Sequence, residues 1–116
     1  MTYKEKVEYL NSYRDKHFRL IYIENQLLGI KGISYEELFS NAKKSQLDYI
    51  EEKTILEKEM AEIKQCIESI RDIKSRYVLM YKFIEFKSLE EIAEIMNYSL
   101  SWVKIYYKKG IKIVPK

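Results

Sequence analysis

The residues best suited to contact chemistry lie near the C-terminus, in SLSWVKIYYKKGIKIVPK (99–116). From Leu100 onward there are five lysines (Lys104, Lys108, Lys109, Lys112 and Lys116) and no acid. At 3.6 residues per turn, Val103, Tyr107, Ile111 and Val114 gather on one apolar face. The other face carries Ser101, Trp102, Lys104, Ile105, Lys108, Lys109 and Lys112, and Ser99 stands just ahead of it. This outward face is mixed at its start and cationic further along. Ammonium groups attract phosphates, whereas hydroxyl and apolar side chains can meet base edges. The pattern fits an anionic polymer; it also fits a lysine-rich helix face that meets only solvent.

Other chemistry has few residues to use. Cys66 is the only cysteine and His17 the only histidine. Neither has a second ligand at zinc-site spacing, so no metal is expected. Cys66 reads as a small buried hydrophobe in a reducing compartment, and His17 as a boundary residue on a helix rich in Lys and Arg. No nucleophile–histidine–acid set and no phosphate-cradling glycine loop is visible, so neither an enzyme nor a cofactor is expected. The glutamates fall at helix-surface spacings, with lysine partners four residues away. No apolar run approaches the roughly 18 residues needed to span a membrane. The N-terminal MTYKEKVEYL has charges where a signal peptide needs an apolar stretch, and a soluble, cytoplasmic protein is expected.

The elements that must position the lysine face are helical. The chain has 116 residues, 47% hydrophobic and 34% charged, enough to build a core. It has three glycines and one proline, Pro115, so nothing in the interior forces a helix to break. TYKE (2–5) has the form of a capping box. It opens a helix from Tyr3 to Leu28 whose apolar residues are Val7, Leu10, Tyr13, Phe18, Ile21, Leu27 and Leu28. Gly29 and Gly32 suit its end. Residues 29–46 read as a linker, within which residues 34–37 could cap a short turn. Leu56, Met60, Ile63, Ile67 and Ile70 are spaced 4, 3, 4, 3, a seam that needs a partner helix from the same chain or a second copy. Arg71 and Asp72 mark a break, and 73–86 reads as one helix with Val78, Leu79, Tyr81 and Ile84 inward. The expected organisation is all-α, with a long helical hairpin or coiled-coil arm over 1–70. The arm would make a homodimer or higher homo-oligomer, and a second domain follows over 71–116. Charge divides the same way: 11 basic against 13 acidic residues in 1–70, a net −2, and 10 against 5 in 71–116, a net +5.

Within the second domain, SLEE (88–91) is a capping box with two acids at the positive end of a helix dipole. Leu89, Ile92, Ala93 and Met96 form its inner face. Asn97 tolerates the left-handed conformation that closes a helix, and Ser99 can cap the next one. The result is a helix, a turn of three to four residues and a second helix of about 100–114, the helix-turn-helix arrangement. Ala93 is small where the helices cross, and Gly110 implies another close contact.

RYVLMYKFIEFKSLEEIAEIMNYSLSWVKIYYKKGIKIV (76–114) resembles the DNA-binding region 4 of bacterial sigma factors, with its Arg-x-Val-Leu helix, Ser-Leu-Glu-Glu-Ile-Ala helix, Ser-capped turn and Val-Lys recognition helix. The whole chain resembles small phage and prophage regulators of the ArpU/RinA type, which join such a domain to an N-terminal helical arm and regulate transcription, often activating late genes. The resemblance implies double-stranded DNA as partner, with Ser101, Trp102, Lys104, Ile105 and Lys108 at the DNA-facing positions. Lys108, Lys109 and Lys112 would supply phosphate contacts. A dimer would read two half-sites about one helical turn apart. Two departures stand out. Trp102 and Ile105 replace polar or basic residues, so this face either meets thymine methyl groups or packs on protein. Asn97 replaces the usual turn glycine. RNA polymerase as partner, and a small terminase-like DNA-packaging subunit forming rings, are the alternatives.

Overall fold

The computed structural model describes residues 1–28 and 44–116, and every regular element among them is helical. In chain order these are α1 (Tyr3–Leu28), α2 (Lys44–Glu68), α3 (Ile73–Leu79), one wide turn of π-helix (Met80–Ile84), α4 (Leu89–Met96) and α5 (Leu100–Ile113). Among the described residues no helix is long and apolar enough to cross a membrane. Gly29, Gly32, the candidate cap at 34–37 and most of the linker expected over 29–46 lie outside the described residues. Residues 44–46 already belong to α2.

Local sequence sets most of these boundaries. The Glu5 N–H donates to Thr2 Oγ1 at 3.1 Å, and the Thr2 N–H donates to Glu5 Oε1 at 3.4 Å, a reciprocal capping box for α1. Asp72 N-caps α3 by accepting from the Ser75 N–H.

The chain forms two compact units, one of residues 1–14 with 61–116 and one of residues 15–60. The boundary expected at 70/71 therefore falls inside the first unit. Its core explains why. Leu10 from α1 and Ile63, Ile67 and Ile70 from the end of the seam pack in one cluster with Leu79, Phe83, Ile111 and Val114. A second cluster joins Val78, Ile92 and Val103 from α3, α4 and α5. Half-buried Cys66 lies beside the first cluster, its Sγ 3.9 Å from the Tyr9 hydroxyl. Burial, and then the contact with Cys66, push the Tyr9 phenol up to about 12.

In the unit of residues 15–60, Ile23, Leu56 and Met60 are buried. Ion pairs link Lys16 to Glu59 (3.3 Å), Arg19 to Glu52 (2.8 Å) and Glu24 to Lys53 (3.9 Å). Such exposed pairs contribute little each. The Arg19 guanidinium also lies over the rings of Tyr22 and Tyr49, 5.3 and 5.8 Å from their centroids. Phe18 and Ile21, expected on the inner face, are exposed. Ile21 is 40% accessible, while Ile23 is fully buried. Two residues along a helix is more than half a turn, so the two isoleucines point nearly opposite ways.

The helix expected over 73–86 changes winding after Leu79. The Glu85 N–H reaches back five residues to the Met80 carbonyl at 3.2 Å, the pairing that defines a π turn. Phe83 becomes the buried residue, and Tyr81 and Ile84 are only half-buried. Phe86 then takes a left-handed conformation with φ 60°, which costs a residue with a Cβ about 1–2 kcal/mol. Its ring lies 6.2 Å from that of Tyr13 and under the Arg14 guanidinium at 5.8 Å.

Gly110 is buried against α3. A Cβ at this position would lie 2.9 Å from both Cγ and Cδ1 of Leu79, a fully buried side chain that would have to shift against its packed neighbours in the first cluster. Overpacking of this sort costs about 1–3 kcal/mol, more than the roughly 1 kcal/mol of helix propensity that alanine returns. Gly110→Ala is therefore expected to lower the urea midpoint, whereas Lys108→Ala, two residues away on the exposed face, leaves it nearly unchanged.

Candidate nucleic-acid interface

Only Asn97, Tyr98 and Ser99 separate α4 from α5. Ser88 Oγ accepts from the Glu91 N–H at 3.1 Å, and Glu91 Oε1 accepts from the Ser88 N–H at 3.1 Å, so the capping box of α4 is complete. Those bonds hold the Glu91 carboxyl below its ordinary range. Asn97 closes α4 at φ 58°, ψ 42°, the left-handed conformation expected of it, and the Tyr98 N–H donates to the Ala93 carbonyl at 3.0 Å. Ser99 Oγ then accepts from the Trp102 N–H at 3.2 Å and opens α5. Ala93, half-buried, packs against the cluster shared by α3, α4 and α5.

At about 100° per residue, Ile105 lies near the middle of the outward face of α5. Ser101, Lys104, Lys108 and Lys112 flank it on one side; Trp102, Tyr106, Lys109 and Ile113 flank it on the other. Trp102 is 54% accessible, Ile105 52% and Ile113 44%. Ile105, Lys108, Lys109, Lys112 and Ile113 line a shallow groove of about 360 Å³. Ser101, Lys104, Lys108, Lys109 and Lys112 are exposed. The eight residues singled out in the sequence thus fall on one helix and its cap. Ser99 differs from the rest because its hydroxyl is engaged by the backbone.

Lys109 also has a second role. Its Nζ lies 3.7 Å from Asp72 Oδ2, the oxygen that caps α3. The hydroxyl of fully buried Ser75 donates to the same oxygen. The Ser75 hydroxyl, its backbone N–H and Lys109 hold the Asp72 carboxyl below its ordinary range despite some desolvation.

Four further residues, Lys6, Lys74, Tyr98 and Tyr106, contribute to the surroundings of α5. The Lys6 ammonium donates to the Lys112 carbonyl at 2.8 Å, adding a cation at the C-terminal end of α5, where the helix dipole favours one. Lys74, on α3, places its ammonium 5.5 Å from the Tyr98 ring centroid and 5.6 Å from that of Tyr106. The phenols of Tyr106 and then Tyr98 push its pKa up. Trp102 stacks on Tyr106 at 5.9 Å and 24°. Tyr98, Trp102 and Tyr106 are spaced by four, so this aromatic ladder was readable as one stripe. Lys6 and Lys74 carried no such local signal.

No known protein family, characterised protein or solved structure matches the chain.

The carboxyl of Asp72 favours the fold while it is ionised. That contribution is fully present above the ordinary aspartate range and is lost as pH falls through the lowered folded-state value. Asn caps helices about as well as Asp, so Asp72→Asn removes the charge and keeps the cap. The variant is expected to unfold at lower urea than the parent at pH 7, with the difference shrinking below about pH 4.

Proposed function

We propose that this chain is a sequence-specific double-stranded DNA-binding protein that regulates transcription. In this reading α4 and α5 are a helix-turn-helix, and α5 is the recognition helix in the major groove. One observation carries it: the inner face of α5 is fixed in two buried clusters, so its acid-free outer face is held outward by the fold. Ser101, Trp102, Lys104 and Ile105 come first along that face and would meet base edges, with Lys108 and Lys112 further along on phosphates, the usual division for a recognition helix. Lys109 would contribute less while it pairs with Asp72. The resemblance of residues 76–114 to region 4 of sigma factors supports the same role, and that of the chain to phage and prophage regulators suggests a late-gene activator. The remaining helical residues would form the arm that joins copies of the chain, with exposed Phe18 and Ile21 as its contact stripe.

A second reading is favoured by exposed Trp102 stacked on Tyr106: the same surface would dock on RNA polymerase. Selection from randomised duplexes at about 0.15 M salt separates the two, because specific complexes survive there. Wild type is expected to enrich a defined motif that a Lys104→Glu/Lys108→Glu variant does not. Equal, motif-free recovery by both proteins would transfer the surface to a protein partner. On the enriched duplex, Lys108→Ala is expected to flatten the dependence of log affinity on log salt by about one. Lys109→Ala is expected to flatten it by less.

A further inference from the structure

We infer that α5 recognises thymine through its 5-methyl group, with Ile105 as the contact residue and Trp102 beside it. This rests on duplex DNA being the partner. A helix in the major groove turns the middle of its outer face toward the base edges and its two flanks toward the phosphate strands. The middle of the α5 face is Ile105, an aliphatic side chain left half in water. The only apolar group that unmodified base pairs present in that groove is the thymine methyl.

The composition of the helix points the same way. Bidentate reading of adenine uses Asn or Gln, reading of cytosine uses Asp or Glu, and the commonest reading of guanine uses Arg or Lys. Of these six residue types LSWVKIYYKKGIKI contains only lysine. Beside lysine, the outer face offers serine, which is indifferent, the half-buried Tyr106 at its edge, and the apolar pair. Lysine flanks are also what phosphates on either side would require: Lys104, Lys108 and Lys112 on one side, Lys109 on the other. Ile105 and Ile113, with three of these lysines, line the shallow groove on this face, an apolar floor with a cationic rim.

The test uses the full chain and the duplex enriched by selection, labelled and titrated by fluorescence anisotropy. Thymines are replaced one at a time by deoxyuridine, which removes the methyl and keeps the base pair. One or two positions are expected to weaken binding about fourfold, the worth of burying one methyl-sized group. Ile105→Ala should bind the thymine and deoxyuridine duplexes equally. Lys108→Ala should bind both more weakly and keep the difference. If wild type binds its motif yet shifts by less than about twofold with every thymine replaced, methyl recognition is overturned and the DNA partner stands. If Ile105→Ala keeps the full deoxyuridine penalty, the loss belongs to the duplex and the inference is also overturned. If no duplex binds better to wild type than to Lys104→Glu/Lys108→Glu, the DNA partner itself fails and takes the inference with it.

Discussion

The close approach of Gly110 to Leu79 governs how α5 sits, and the outward face follows from it. A Cβ at position 110 would press on the side chain of Leu79 in α3, and either that side chain or the helix would have to give. Because the gap is closed, Val103 reaches the cluster with Val78 and Ile92, and Ile111 and Val114 reach the cluster with Leu10 and Ile67. Two separate apolar anchors on one helix fix both its tilt and its rotation. Each fully buried aliphatic side chain contributes about 1.5–3 kcal/mol, enough to hold Ile105 and Trp102 out in water against their own tendency to be buried.

Charge is arranged around that anchored helix with some economy. Asp72 accepts from two groups of Ser75 and faces Lys109, so one carboxylate starts α3 and ties it to α5. Lys6 answers the exposed carbonyl at the far end of the same helix. Lys74 rests on the aromatic ladder at the near end. These cations come from elements other than α5, and they make its surroundings more positive than its own sequence suggests.

The signals that sequence carried well are those decided within four residues. The capping boxes at Thr2 and Ser88, the left-handed Asn97, the Ser99 cap and the limits of α1 all depend on a side chain and the backbone beside it. The packed glycine was legible too, because a helical glycine has a cost that some contact must offset. What sequence hid depends on distant partners. Periodicity extended one stripe through Phe18 and Ile21, but Ile23 is the residue buried. An even helix was expected where the chain widens into a π turn and places Phe83, not Tyr81, in the core. On the outer face of α5 the exposed lysines were visible in sequence, whereas Lys6 and Lys74 depended on packing that pattern alone does not encode.

The unit that carries α5 is discontinuous along the chain, with residues 15–60 inserted between its two parts. Lys6 and the carbonyl it holds are 106 positions apart. Leu10 shares its cluster with Ile63, Ile67 and Ile70, more than fifty positions along the chain, and with Ile111 and Val114 beyond those. Contacts so distant in sequence raise the contact order of this unit, which slows folding relative to a purely local helical bundle. Of the two clusters that orient α5, one thus draws on the N-terminal helix, while the other is assembled from neighbouring residues of α3, α4 and α5.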